Sequence, residues 1–94
     1  MTAGSYFEYT FNGTGVEVYS QKHANFASFD IYVDTVKIGN YSLNGSSSGD
    51  NQQLIFSKTD LTNGEHTIKC VAVARDGKYQ VNLDYLKILH RVKV

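Results

Sequence analysis

Apolar side chains recur at every second position in one stretch of this chain after another, and no window shows the spacing of an amphipathic helix. That feature restricts the fold to pleated sheet, because only an extended strand sends successive side chains to opposite faces. The cleanest case is 27–33, where Ala27, Phe29, Ile31 and Val33 alternate with Ser28, Asp30 and Tyr32. Phe7, Tyr9 and Phe11 alternate with Glu8 and Thr10, and Val16 and Val18 with Glu17 and Tyr19. Ile68, Cys70 and Ala72 alternate with Thr67, Lys69, Val71 and Val73. Between these runs lie turn formers: Asn12-Gly13-Thr14-Gly15, Asp34-Thr35, Asn63-Gly64 and Arg75-Asp76-Gly77-Lys78. The pattern predicts seven or eight short strands in an all-β, antiparallel sandwich or barrel. A chain of 94 residues is one domain. It buries roughly 60–65% of its unfolded surface, enough for one core with little margin.

The local expectations are specific. Tyr6–Phe11 and Val16–Tyr19 read as a hairpin whose glycines supply positive φ. Val36 and Ile38 start the return strand after Asp34-Thr35, with a bulge at Gly39-Asn40 before Tyr41 and Leu43. Asn44–Asp50 reads as a flexible loop, and Leu61 as a plug of the core from a connection. The closing run, Tyr79–Ile88, is the densest apolar stretch. Val81, Leu83 and Tyr85 share one phase, whereas Leu86 and Ile88 fall in the other, so a bulge or a switch of packing is expected between Asp84 and Leu86. An acid inside such a run must meet backbone donors, water or a cation. Residues 1–5 read as an artificial start or a linker, 6–89 as the sandwich and 90–94 as a tail that pairs as an edge strand or hangs free.

Several functions are excluded or left without support. Lys plus Arg balance Asp plus Glu at nine each, so there is no basic face for nucleic acid or for an anionic membrane. No apolar run approaches 18 residues, which excludes a transmembrane helix. Cys70 is the single cysteine, so no disulfide forms within the chain; its place in a strand makes it a core residue. Catalytic motifs are absent, His23, His66 and His90 are scattered, and the Asp residues stand mostly at turns. The chain reads as non-enzymatic, with no metal site and no cofactor. The Asn-X-Ser/Thr triplets at Asn12, Asn40 and Asn44 read as turns rather than glycan acceptors.

What remains is a binding surface. A sandwich brings alternate loops to one end. The segments 20–26, 44–51 and 75–78 are candidates to share it, and with their flanks they offer Tyr19, Lys22, His23, Asn25, Phe26, Asn44, Asp50, Asn51, Arg75, Lys78 and Tyr79. Sugars call for this mixture: amide, acid and guanidinium groups for hydroxyls, and an aromatic face for the C–H side of a ring. The ligand-binding set taken from it is Tyr19, Lys22, His23, Asn25, Phe26, Asn51, Arg75 and Tyr79.

Four stretches in order resemble a known family. Phe11-Asn12-Gly13-Thr14-Gly15-Val16-Glu17-Val18 is similar to the FxGTG hairpin of galactose-binding-like jelly-roll domains, the type used as carbohydrate-binding modules. Ile31-Tyr32-Val33-Asp34 with Val36-Lys37-Ile38 resembles their YVDG hairpin, with Thr35 in place of Gly. Leu61-Thr62-Asn63-Gly64-Glu65-His66-Thr67-Ile68 resembles their LxNGxHT turn, and Val81-Asn82-Leu83-Asp84-Tyr85 their closing NxDY strand. Such modules are appended to glycoside hydrolases, surface proteins and bacteriophage tail proteins. The resemblance implies a jelly roll that recognises a cell-surface or cell-wall glycan through loops at one end. It also implies neighbouring domains in a parent protein and an extracellular, cell-surface or virion location. Family members carry more chain before the first motif, with part of a Ca²⁺ site; here only Tyr6 and a few residues precede it, so no structural Ca²⁺ is assigned although Asp84 matches its motif. The uncovered edge suits a homo-oligomer or docking. The alternative function is therefore an oligomerisation domain of a tail or surface protein with no sugar site.

Overall fold

A computed structural model describes Met1 to His90. Seven strands form two antiparallel sheets: β1 (Tyr6–Gly13), β2 (Gly15–Lys22), β3 (Ser28–Val33), β4 (Val36–Ser42), β5 (Asp50–Lys58), β6 (Gly64–Val73) and β7 (Tyr85–Leu89). One sheet has the order β1-β6-β3-β4 and the other β5-β2-β7. The alternating faces of the two sheets meet in a single core built from Phe11, Val16, Val18, Phe29, Ile31, Leu43, Phe56, Ile68, Cys70 and Val81. Leu61 packs against its margin from the β5–β6 connection, as its place in the sequence suggests. The all-β sandwich is therefore as the two-residue period predicts.

The first hairpin is not formed. β1 pairs with β6 in one sheet and β2 with β5 and β7 in the other, so Gly13–Gly15 carries the chain across the sandwich. Neither glycine supplies positive φ. They are needed for close approach: a Cβ on Gly13 would lie 2.4 Å from the Leu89 carbonyl oxygen, and one on Gly15 would lie 2.7 Å from that of Lys58. The second hairpin is formed. Asp34 and Thr35 both take positive φ, 51° and 69°, as a two-residue turn matched to strand twist requires. The bulge of β4 falls at Ile38, one residue earlier than expected, because Ile31 pairs with Gly39 and Tyr32 with Lys37.

The closing run splits in two. Tyr79–Asp84 stays outside both sheets and crosses the loop end, held by single bridges from Gln80 to Thr2 and to Phe26. Tyr85–Leu89 then joins the other sheet beside β2. The phase break marks that crossing: Val81 is buried before it, while Leu86 and Ile88 pack on the core after it. Asp84 is exposed, and its carboxylate accepts the Asn82 side-chain N–H at 2.8 Å. Residues 1–5 lie against the same crossing: Ala3 N–H donates to the Tyr79 carbonyl at 2.7 Å and Gly4 N–H to that of Ala72 at 2.8 Å. Of the expected tail, only His90 falls within the described residues.

Candidate functional site at the loop end

Antiparallel pairing decides which connections share an end. The starts of β1, β3, β5 and β7 and the ends of β2, β4 and β6 lie together, as the pairs Lys22–Asp50, Ser28–Ser42, Ser28–Val73, Tyr6–Val71 and Tyr19–Tyr85 require. The segments 23–27, 43–49 and 74–84 therefore gather at one end of the sandwich. The crossing Gly13–Gly15, the turn Asp34-Thr35 and the connection 59–63 gather at the other.

At the loop end the segments 22–26 and 43–50 interlock. His23 N–H donates to the Leu43 carbonyl at 3.0 Å, and Ala24 N–H to that of Ser46 at 3.1 Å. The Asn44 side chain returns a bond to the Ala24 carbonyl at 3.0 Å. Asp50 pins the serine-rich loop, which composition alone reads as flexible. Its carboxylate accepts the Ser46 N–H at 3.1 Å and the Ser46 hydroxyl at 3.0 Å. Those two bonds, with the nearby Lys22 and His23, hold the Asp50 carboxyl below the usual carboxylate range. Gly45 has no room for a side chain, because a Cβ there would lie 2.6 Å from the Lys22 Cβ.

Beside this anchor His23 and Phe26 form a tilted ring pair with centroids 5.4 Å apart. The His23 Nδ1 accepts the Asn25 N–H at 3.0 Å, which assigns the ring proton to Nε2 as a donor. Lys22, His23, Asn25, Phe26 and Asp50 thus bring a cation, a ring N–H, an amide, an aromatic edge and an ionised acid to one surface. Asn51 follows Asp50 and is exposed. Tyr79 is 62% exposed and flanks Gln80, the residue that bridges to Phe26.

Two of the predicted residues stand apart from this cluster. Tyr19 points from the outer face of the three-stranded sheet, stacks on Tyr85 at 4.7 Å and 11°, and donates its hydroxyl to Glu17 at 3.0 Å. That bond to a carboxylate raises the phenol above its usual range. Arg75 lies at the loop end but turns to the four-stranded sheet, where it donates to the Asn40 side chain at 2.8 Å. Asn40 in turn donates to Asp30 at 2.8 Å. Sequence reasoning left out Ser46, which bonds Asp50 four residues on, and Asn40, whose role depends on strand pairing, and left Asp50 outside the ligand-binding set. Tyr85 could have been found, since it is the last residue in phase before the break.

Among the described residues no cluster of His, Cys, Asp or Glu is arranged to hold a metal ion, and no helix is long and apolar enough to cross a membrane.

Two facing antiparallel sheets of this order form a galactose-binding-like jelly roll of the carbohydrate-binding-module type, a non-catalytic class of domain. The crystal structure of the CBM36-1 domain of a multidomain xylanase from the hindgut metagenome of Trinervitermes trinervoides shares this fold. It aligns with a TM-score of 0.63 and 25% identity over 97% of this chain and 75% of that one. Among curated proteins, the A type blood alpha-D-galactosamine galactosaminidase of Flavonifractor plautii is 40% identical over 87 residues, 93% of this chain and 8% of that protein. The A type blood N-acetyl-alpha-D-galactosamine deacetylase of the same organism is 38% identical over 71 residues, 76% of this chain and 9% of that protein. The chain therefore spans less than a tenth of the length of these curated relatives. A comparison with protein-family models finds no match.

Proposed function

We propose that this domain is a non-catalytic module that binds a glycan at the loop end and holds a larger, secreted, glycan-processing protein near its substrate. One observation carries the reading: on a carbohydrate-binding-module fold, Lys22, His23, Asn25, Phe26 and Asp50 converge at the end where such loops are free to vary. The Nε2–H of His23 and the Lys22 ammonium donate to hydroxyl oxygens. Asn25 supplies an amide, and the exposed part of the Phe26–His23 pair packs on the C–H face of a ring. Tyr79 and Asn51 extend that surface. The names of the two relatives favour a glycan-active enzyme as the parent over a phage tail or adhesion protein, and favour glycans that carry galactosamine-type residues. Isolated affinity is weak, in the millimolar to micromolar range, and gains from multivalent display.

The test is retention of the bead-multimerised domain on glycans ending in N-acetyl-α-D-galactosamine, with xylan as the second surface. Retention on one of the two, reduced about tenfold or more by joint His23→Ala, Asp50→Ala and Phe26→Leu substitution in a variant with unchanged circular dichroism, supports the reading. Unchanged retention by that variant moves the site away from the loop end.

A further inference from the structure

The outer face of the four-stranded sheet holds a feature separate from the loop end. A shallow cavity of about 280 Å³ is lined by Glu8, Tyr32, Thr35, Thr67 and Lys69. The register explains why these residues converge. Lys69 on β6 is the partner of Glu8 on β1 and of Tyr32 on β3, so an acid, a cation and an aromatic ring form one row across three strands. At the usual strand spacing that row is about 10 Å wide. The next row holds Thr10 and Thr67, whose hydroxyls are bonded to each other at 2.9 Å. Lys69 leans the other way and places its ammonium 4.7 Å above the Tyr6 ring. That cation–π contact holds the ammonium at the Tyr6 side of the groove, and Lys69 stays in the groove's lining.

The far wall is rigid. Thr35 comes from the turn whose two residues both take positive φ, a conformation that persists only where its surroundings hold it. They do: the Asp34 carboxylate accepts the Thr67 N–H at 2.9 Å and bonds His66, and Asp34 N–H donates to the Thr67 carbonyl at 2.9 Å. A wall fixed before binding costs little ordering entropy when a ligand arrives.

We propose that this groove is a second binding site, for one neutral pyranose residue. Tyr32 offers a face for the C–H side of the ring, and Glu8 accepts from hydroxyl groups. Lys69 and Thr67 donate to ring and hydroxyl oxygens. The acid and the cation stand side by side, so a charged sugar meets one like charge wherever it lies. The volume is just under the range of drug-sized ligand sites and suits one ring rather than a chain. The choice of a sugar as occupant rests on the glycan-binding reading, but the groove does not depend on the loop end as its site. Two sites on different surfaces let one domain hold two branches of a glycan or two neighbouring chains, with the gain in retention that linkage brings.

Amide NMR of the whole chain separates the two sites. The probes are methyl N-acetyl-α-D-galactosaminide, xylotriose and glucuronic acid, each titrated into the millimolar range. The expected result is shifts at Glu8, Tyr32, Thr35, Thr67 and Lys69 with one of the two neutral sugars and weaker shifts with glucuronic acid. Glu8→Gln and Thr67→Val, which keep volume and strand propensity, are expected to weaken those shifts about fivefold and leave the loop-end shifts unchanged. Joint His23→Ala and Asp50→Ala substitution is expected to do the reverse. Shifts confined to the loop end overturn the groove and leave the proposed function standing. Shifts confined to the groove overturn the loop end as the site and support the groove. No shift at either place overturns both. Equal binding of glucuronic acid, or groove shifts indifferent to Glu8→Gln and Thr67→Val, overturns the groove as a site for a neutral sugar.

Discussion

Replacing Gly13 with Ala tests how the two sheets are joined. Gly13 is buried at the end of β1, and the added Cβ would lie 2.4 Å from the Leu89 carbonyl oxygen and 3.1 Å from the Ile88 Cγ2. A backbone oxygen cannot swing aside as a side-chain tip can, so the end of β7 must move. That oxygen also accepts the Thr14 N–H at 2.8 Å, and Leu89 is the register partner of Gly15. Overpacking costs about 1–3 kcal/mol. Loss of the hydrogen bond adds about 1 kcal/mol. The reduced freedom of the unfolded chain returns about 0.4–1 kcal/mol. The net is a destabilisation of about 2–3 kcal/mol out of the roughly 5–14 kcal/mol expected of a domain this size. At about 4–8 °C per kcal/mol, Tm falls by roughly 10–20 °C. The assays are a thermal melt by circular dichroism and a urea titration, in which the midpoint drops while the slope stays constant. A Tm within about 3 °C of the wild type refutes the reasoning, because it means that Gly13 serves a solvent-exposed turn between paired strands rather than a crossing packed on β7.

The other predictions concern titration and reactivity. His66 is largely buried; its Nε2–H donates to the Thr62 carbonyl at 2.6 Å, and its Nδ1 pairs with the Asp34 carboxylate at 2.5 Å, so only the imidazolium satisfies both partners. These bonds, the Thr62 one first, raise the ring above its ordinary value of 6.5, and the bond to His66 lowers Asp34 below its ordinary 3.8. The stabilisation from His66 is present below 6.5 and lost as pH rises through the higher folded value; that from Asp34 is present above 3.8 and lost as pH falls through the lower folded value. Tm is therefore highest between about pH 4 and 6.5 and declines towards pH 8, and His66→Gln lowers the maximum and removes most of the decline; a flat wild-type profile contradicts this. Burial pushes the Cys70 thiol up to about 12, so a thiol reagent labels it only at the rate of unfolding, and immediate labelling of the folded protein contradicts its place in the core.

Much of the fold was legible because period-two patterning is local. Phe29, Ile31 and Val33 name the buried face of β3 without help from the rest of the chain, and the β3–β4 turn follows from Asp34-Thr35 standing between two alternations. Which strand pairs with which is not local. Asn12-Gly13-Thr14-Gly15 has the composition of a hairpin turn, yet what decides its course is the space left by Leu89 and Lys58, far along the chain. The same holds for the closing run. Its phase break announced a change of packing, but it is the pairing of β7 with β2, after β6 in the other sheet, that shows the chain leaving one sheet for the other.

At the loop end, the gathering of 20–26 with 44–51 follows from strand parity and was open to sequence reasoning. The outward turn of Arg75 was not, because it depends on Asn40 standing across the sheet to receive it. The exposure of Asp84 was likewise hidden, since an acid within an apolar run looks buried until the run is known to cross the loop end outside both sheets. The groove on the outer face escaped notice for a related reason. Glu8, Tyr32 and Lys69 are each an ordinary outward residue of a separate strand, and only the register sets them in one row.

The most direct measurement of the central claim is a glycan array probed with the bead-multimerised domain beside its His23→Ala and Asp50→Ala double variant. The account predicts binding to a defined set of glycans, those with galactosamine-type termini foremost, and loss of that set in the variant. Silence of the multimerised wild type across mammalian and cell-wall glycans, with the fold intact by circular dichroism, contradicts it.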